Sequence, residues 1–213
     1  FKKVPFDAIN DFEAVIHLAR VTNILVVHPS VPARTAKEFI AFAKARQGQL
    51  VYGTSGTGSS NHLSAEMFKL QTQTFGVHIP YRGGAAAQTD IMAGNIEASF
   101  QNFGTVVPYI KAGRMKALGV TSRQRMPQLP DVPTVEEQGY KGFEVSSWYG
   151  LFAPAGTPAE VIAKLNQEMA RALTPAEVRQ RLSAEGTEVV AGSPDEFMQL
   201  FRAEVSKWAR VIK

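Results

Sequence analysis

The chain has 213 residues, 45% hydrophobic and 20% charged, with 17 glycines, 12 prolines and no cysteine. That length supports one large domain or two modest ones without staples. The composition excludes disorder, collagen-like repeats, disulfide frameworks, thiolate nucleophiles and Cys-based metal sites. A net charge of +4 biases the surface mildly toward anionic ligands, far short of the dense basic stripe of a nucleic-acid binder. The basic residues cluster, since no acid lies between Glu97 and Asp131 while Lys111, Arg114, Lys116, Arg123 and Arg125 do. A solvated basic face accounts for that run. No apolar run approaches the ~20 residues of a membrane span. The opening Phe1-Lys2-Lys3 leads into no export-signal h-region, as a mature exported product would also read.

In chain order, short runs rich in β-branched residues alternate with helical patterns. Ile24-Leu25-Val26-Val27 predicts a buried strand, closed by His28-Pro29. Thr35-Ala36-Lys37-Glu38 has the form of a capping box, and Phe39, Ile40, Phe42 and Ala43 give the following helix its apolar face. Strands are expected at 50–54, 77–81, 96–101 and 116–121, and helices at 60–72, 85–93 and 105–112. Strands and helices of these lengths in alternation predict an α/β fold with a mostly parallel sheet. Beyond residue 130 four more capping boxes are expected, starting at Thr134, Thr157, Thr174 and Ser193. One more strand is expected at Trp148–Phe152, after which the chain reads as mainly helical. Phe197, Leu200, Phe201, Val205, Trp208 and Ile212 form an amphipathic stripe on the last helix. Two similar strand exits, Val31-Pro-Ala-Arg-Thr35 and Pro154-Ala-Gly-Thr157-Pro158, suggest two strands that cross between lobes.

The chemistry concentrates in Gly53-Thr-Ser-Gly-Thr-Gly-Ser-Ser60, between a strand and a helix. A phosphate loop needs Lys where Ser59 stands, a dinucleotide fingerprint needs glycine at Asn61, and a nucleophile elbow on Ser55 needs glycine at Thr57. Each of these readings misses at a residue its mechanism requires. What remains is a neutral anion cradle, hydroxyls and unpaired N–H groups at the positive end of a helix dipole, with a plain strain-relieving turn as the alternative. Tyr81-Arg82-Gly83-Gly84 and Gln101-Asn102-Phe103-Gly104-Thr105 occupy equivalent junctions. If their strands are parallel, all three junctions lie at the C-terminal edge of the sheet, where open α/β folds bind ligands. His17, His28, His62 and His78 are scattered, so no metal site and no cofactor are expected. His62 either faces a ligand or packs on its own lobe. Trp148-Tyr149 reads as filler of the lobe junction, and Glu136-Glu137 as part of a cap.

Several modest motifs in fixed order carry a family resemblance. They are Pro5-Phe6-Asp7 with Asp11-Phe12, Leu25–Ser30, Ser55–Leu63, Pro80–Ala85, Tyr109–Gly113, Leu129–Val135 and Ala153–Pro158. Together they resemble the substrate-binding receptors of tripartite tricarboxylate transporters, the Bug or TctC-like periplasmic solute-binding proteins. The resemblance implies a two-lobed, type II periplasmic-binding-protein fold that closes on a small organic carboxylate in its cleft. It implies no catalysis, a periplasmic location, and delivery to membrane permease subunits; neither nucleic acid nor a membrane span is expected.

Carried over by position, Ser55, Gly58, Ser59 and Ser60 resemble the family's carboxylate-contacting loop. Tyr81, Gly83 and Gly84 match its second junction, and Gln101 and Asn102 its third. Gln101 stands where many relatives place an acid, which favours a plain carboxylate over an amino acid. Residues 24–150 would form one complete lobe, and 1–23 with 151–213 the remaining part of the other. Relatives carry a further opening stretch with a strand and a Pro/Gly-rich loop. The first lobe is therefore expected to be incomplete here, with apolar surface on helices 158–213 left exposed. The other reading of the same fold is the ligand-sensing half of a transcription regulator.

Overall fold

The structure, a computed structural model, describes residues 4–212; the Phe1–Lys3 opening and Lys213 lie outside them. The chain divides into two compact units, one of Val21–Ser147 and one of the residues up to Arg20 with those from Trp148 onward.

The Val21–Ser147 unit receives the second half of β1 (Phe12–Val27) and continues through α1 (Ala36–Ala45), β2 (Val51–Thr54), α2 (Ser60–Thr72) and β3 (Val77–Pro80). It is completed by α3 (Gly84–Ala93), β4 (Ala98–Asn102), α4 (Phe103–Lys111) and β5 (Lys116–Val120). The strands lie in the order β3-β2-β4-β1-β5. β2 is parallel to β3 and β4, whereas β1 is antiparallel to β4 and β5. Four strands thus share a direction, set by their helical crossovers. β1 has no such crossover behind it and enters at the edge where the others end, Asn23 pairing opposite Asn102.

Ile24 and Val26 face α3 and α4 in a core with Ile91, Ile96, Phe103, Val106 and Met115. On the other side Phe68 packs edge-on against Phe100 at 5.7 Å, and Phe100 stacks on Phe143 at 6.1 Å. Both faces of the strand are covered, which is why 24–27 is apolar without alternation.

In the second unit the first half of β1 pairs with β6 (Ser146–Pro154) and β7 (Thr187–Val189). The helices there are α5 (Ala159–Ala172), α6 (Ala176–Ala184) and α7 (Pro194–Val211). Phe197 of α7 is fully buried, its ring 4.6 Å from that of Phe152 and 5.5 Å from that of Trp148. Gly150 makes this possible, because a Cβ there would lie 2.1 Å from the Phe197 ring. Trp148 therefore belongs to this aromatic cluster, while Tyr149, expected to fill a junction, is 48% exposed. α5 sets Ile162, Met169 and Ala170 on Val15 and Ile16, yet neither α5 nor α6 contains a buried residue.

The five expected capping boxes separate into kinds. Ser193 with Glu196, and Thr134 with Glu137, are reciprocal. Thr35 accepts from Glu38 N–H at 3.1 Å, but the Glu38 carboxylate accepts from Arg34 N–H instead. Thr157 and Thr174 cap nothing, since their hydroxyls turn back to donate to Pro154 O and Ala170 O. Strand β7, and β1 before Ile24, were not expected; His17, Arg20, Thr22 and Asn23 interrupt the apolar pattern there.

His17 lies on β1, 8% exposed and stacked on Phe197 at 5.5 Å, and its Nε2 has no hydrogen-bond partner among the described residues. Burial holds its pKa below the ordinary 6.5. Below that pH the unfolded chain binds a proton that the folded chain refuses, so stability falls with acid. Scanning calorimetry should show the melting temperature dropping from about pH 7 to about pH 5, and dropping less in His17→Leu.

Candidate functional site

Because β2, β3 and β4 run the same way, the loops that follow them emerge along one edge of the sheet. Each loop runs straight into a helix, so the first turns of α2, α3 and α4 are gathered there. The first N–H groups of a helix have no intrahelical partner. Ser59, the N-cap of α2, satisfies one of them, its Oγ accepting from His62 N–H at 3.3 Å, while its carbonyl accepts the first regular helix bond from Leu63 N–H at 2.9 Å. The Ser60 and Asn61 N–H groups remain without a partner among the described residues. α3 and α4 start at Gly83 and Asn102 with no side-chain cap at all. Gly83 takes φ 105°, a backbone region that excludes most side chains, and a Cβ on Gly84 would press to 3.1 Å from Gln101 Oε1.

The remaining expected residues have defined partners. Ser55 Oγ donates to Asn61 Oδ1 at 2.5 Å, and Ser60 Oγ lies 2.5 Å from Ser147 Oγ. Gly58 N–H donates to His62 Nδ1 at 3.2 Å. The Tyr81 hydroxyl donates to Asp90 Oδ2 at 2.6 Å, and burial together with that carboxylate pushes the phenol up to about 12. Gly83 N–H reaches Ser55 O at 3.3 Å, tying the first two loops together. Gln101 is 1% exposed; its amide donates to Ser99 and accepts from Gln88, whose own amide also donates to Thr105. It supports the starts of α3 and α4 from beneath. Arg82 is exposed, and within the basic run Arg123 pairs with Glu144 and Arg125 with Glu137.

Sequence reasoning missed the network beneath the loops. Asn61 is buried, and its amide nitrogen reaches Asn23 Oδ1 at 3.5 Å and Asn102 Oδ1 at 3.4 Å. Asn23 in turn donates from its side chain to Ser64 and from its backbone to Thr121 Oγ1. Ser147 donates to Asn102 Oδ1. The available signal was Asn23 itself, an amide beside a run that must be buried and therefore in need of partners. Also unforeseen is the ring stack of His62 on His78, 4.2 Å apart. Among the described residues no group of three or more His, Cys, Asp or Glu is able to hold a metal, and no helix is long and apolar enough to cross a membrane.

The rim is therefore neutral and rich in donors, suited to an oxyanion. The profile of the tripartite tricarboxylate transporter family receptor matches residues 1–213. The chain belongs to this family. Solved structures share its fold, three of them as follows. Rpa4515 of R. palustris, solved with adipate, is 34% identical with TM-score 0.90, over 99% of this chain and 71% of that one. MatC of Rhodopseudomonas palustris, with bound malate, is 30% identical with TM-score 0.90, over 100% and 74%. The periplasmic binding protein BugD is 29% identical with TM-score 0.87, over 97% and 70%. The α/β fold is that of these periplasmic binding proteins. The chain spans 63% and 64% of the length of the first two curated relatives it matches.

Replacing Asn61 with Leu strips donors from Asn23 and Asn102 and an acceptor from Ser55. Asn61→Leu is expected to lose about 1–3 kcal/mol of stability, measured by urea unfolding.

Proposed function

We propose that this chain is the ligand-binding part of an extracytoplasmic solute receptor that takes a small organic carboxylate at the rim. The receptor then delivers it to the membrane permease of a tripartite tricarboxylate-type transporter. One observation carries the reading: three helix N-termini with unpaired N–H groups converge on one sheet edge, and the carboxylates described beside them are engaged by other partners, Asp90 by Tyr81 and Glu66 by Tyr52 and Lys69. Backbone donors fixed in place hold an anion without a counter-charge on a side chain. Adipate and malate in the related Rpa4515 and MatC support a carboxylate as the class, and BugD supports the periplasm.

Ser59, Ser60, Gly83, Gly84 and Asn102 line the cradle, with Ser55, Gly58 and Tyr81 shaping the loops and Gln101 bracing them. Binding without turnover fits the setting of Ser55, whose hydroxyl donates to the amide oxygen of Asn61. An amide is not a base strong enough to activate a serine.

Titration calorimetry against adipate, malate, citrate and a monocarboxylate is expected to find at least one binder. The Ser59→Ala, Ser60→Ala double variant removes a helix cap and a rim hydroxyl. At about 1 kcal/mol each, these losses weaken binding on the order of tenfold or more. An unchanged affinity in the double variant places the ligand elsewhere, and absence of binding by every acid removes the receptor reading.

A further inference from the structure

Behind the Ser55–Ser60 loop lies a compact group of titratable side chains that the receptor reading does not use. His62, in the first turn of α2, stacks on His78 of β3, which in turn stacks on Tyr52 of β2 at 5.2 Å. On α2 itself Glu66 faces His62, with Oε1 3.5 Å from Nε2, and Lys69 pairs with Glu66 at 2.7 Å. Tyr52 donates to Glu66 at 2.5 Å and accepts from Lys69 at 3.0 Å. His78 Nε2 meets Thr54 Oγ1 at 2.7 Å, and the same hydroxyl contacts Gly56 N–H and Gly56 O, both at 3.3 Å. His78 therefore reaches the loop that forms the first part of the cradle through the Thr54 hydroxyl, and His62 contacts it directly at Gly58.

The decisive contact is that of Gly58. Its N–H donates to His62 Nδ1, so Nδ1 carries no proton and the neutral ring presents Nε2–H toward Glu66. The amide is thereby withheld from any anion at the rim. A proton on Nδ1 turns an acceptor into a donor, and the Gly58 N–H must then find another partner. The same proton puts a cation directly behind the α2 N-terminus. Both effects favour a bound carboxylate.

We propose that His62 positions the cradle loop and switches one of its amides: unprotonated, it holds the Gly58 N–H; protonated, it releases that N–H to a carboxylate ligand, whose binding therefore tightens in acid. This rests on the receptor reading and adds a control to the same site. Stacked imidazoles 4.2 Å apart accept one proton between them. His62 takes it, having Glu66 opposite Nε2. Burial holds both rings below the ordinary 6.5, which puts the switch on the acid side of that value. Glu66 stays ionised there: burial opposes its charge, but the Lys69 and Tyr52 hydrogen bonds outweigh it. By reciprocity, the ligand must raise the His62 pKa by the logarithm of the affinity gain.

NMR titration of the 213-residue chain, with labelled histidine and backbone amides, tests the switch first without ligand. The Gly58 amide shift should follow the His62 ring through one common midpoint, and should lose that midpoint in His62→Asn, whose amide oxygen still accepts but does not titrate. A Gly58 amide indifferent to His62 overturns the proposal whether or not any acid binds. With saturating adipate, the wild-type His62 pKa should rise by about one unit, equal to a roughly tenfold tightening. Calorimetry should show that tightening from about pH 7.5 to about pH 5 in the wild type relative to His62→Asn, a comparison that cancels the ligand's own titration. Adipate binding with the same pH dependence in both proteins overturns the switch and leaves the receptor intact. If neither adipate nor any other acid binds, the receptor reading fails, and the ligand-free titration still decides the Gly58–His62 coupling.

Discussion

The buried amide of Asn61 fixes the candidate site. One side chain at the start of α2 bonds to Ser55 in the loop before it, to Asn23 on β1 and to Asn102 at the end of β4. An amide in this position can be satisfied only if three separate chain segments arrive together, and leaving it unsatisfied is costly. The helix starts are thus held in register with the strand ends by a polar constraint, while the apolar core on both faces of the sheet supplies most of the stability.

The rim above that constraint achieves its character by leaving backbone groups unpaired. In most helices such N–H groups meet a cap; here α3 and α4 start without a side-chain cap, and α2 spends its Ser59 cap on His62. Small residues leave the backbone bare there: Gly83 and Gly84 at one junction, Gly56 and Gly58 at another. Donors held by helices need no reorganisation when an anion arrives. A side-chain ammonium would have to be ordered at an entropic cost.

Much of this was legible in the sequence because the signals were local. Helix α2 begins and ends where its pattern predicts, at 60 and 72, and the Gly/Ser/Thr loop before it marks the strand-to-helix junction from composition alone. The parallel direction of β2, β3 and β4 followed from the helices between them. What escaped depended on distant partners. Asn23 and Thr121 are 98 positions apart, Ser60 and Ser147 87 apart, and no periodicity encodes such pairings. Gln101 stands in line with Asn102 in the sequence, but adjacent strand residues point to opposite faces, and Gln101 faces inward. Thr157 and Thr174 have the letters of a cap, yet each hydroxyl bonds the preceding chain, a choice made by local backbone geometry.

The placement of β3 at the border of its sheet has a further bearing on solubility. An unpaired strand border invites pairing with another chain. This one offers only four residues, Val77–Pro80, and the last has no N–H to donate. At the far border β5 is shielded differently: Val120 exchanges backbone hydrogen bonds with Pro133 and Val135 around an isolated bridge to Thr134. A sheet terminated by brevity and proline on one side and by its own returning chain on the other gives a neighbouring molecule little to extend.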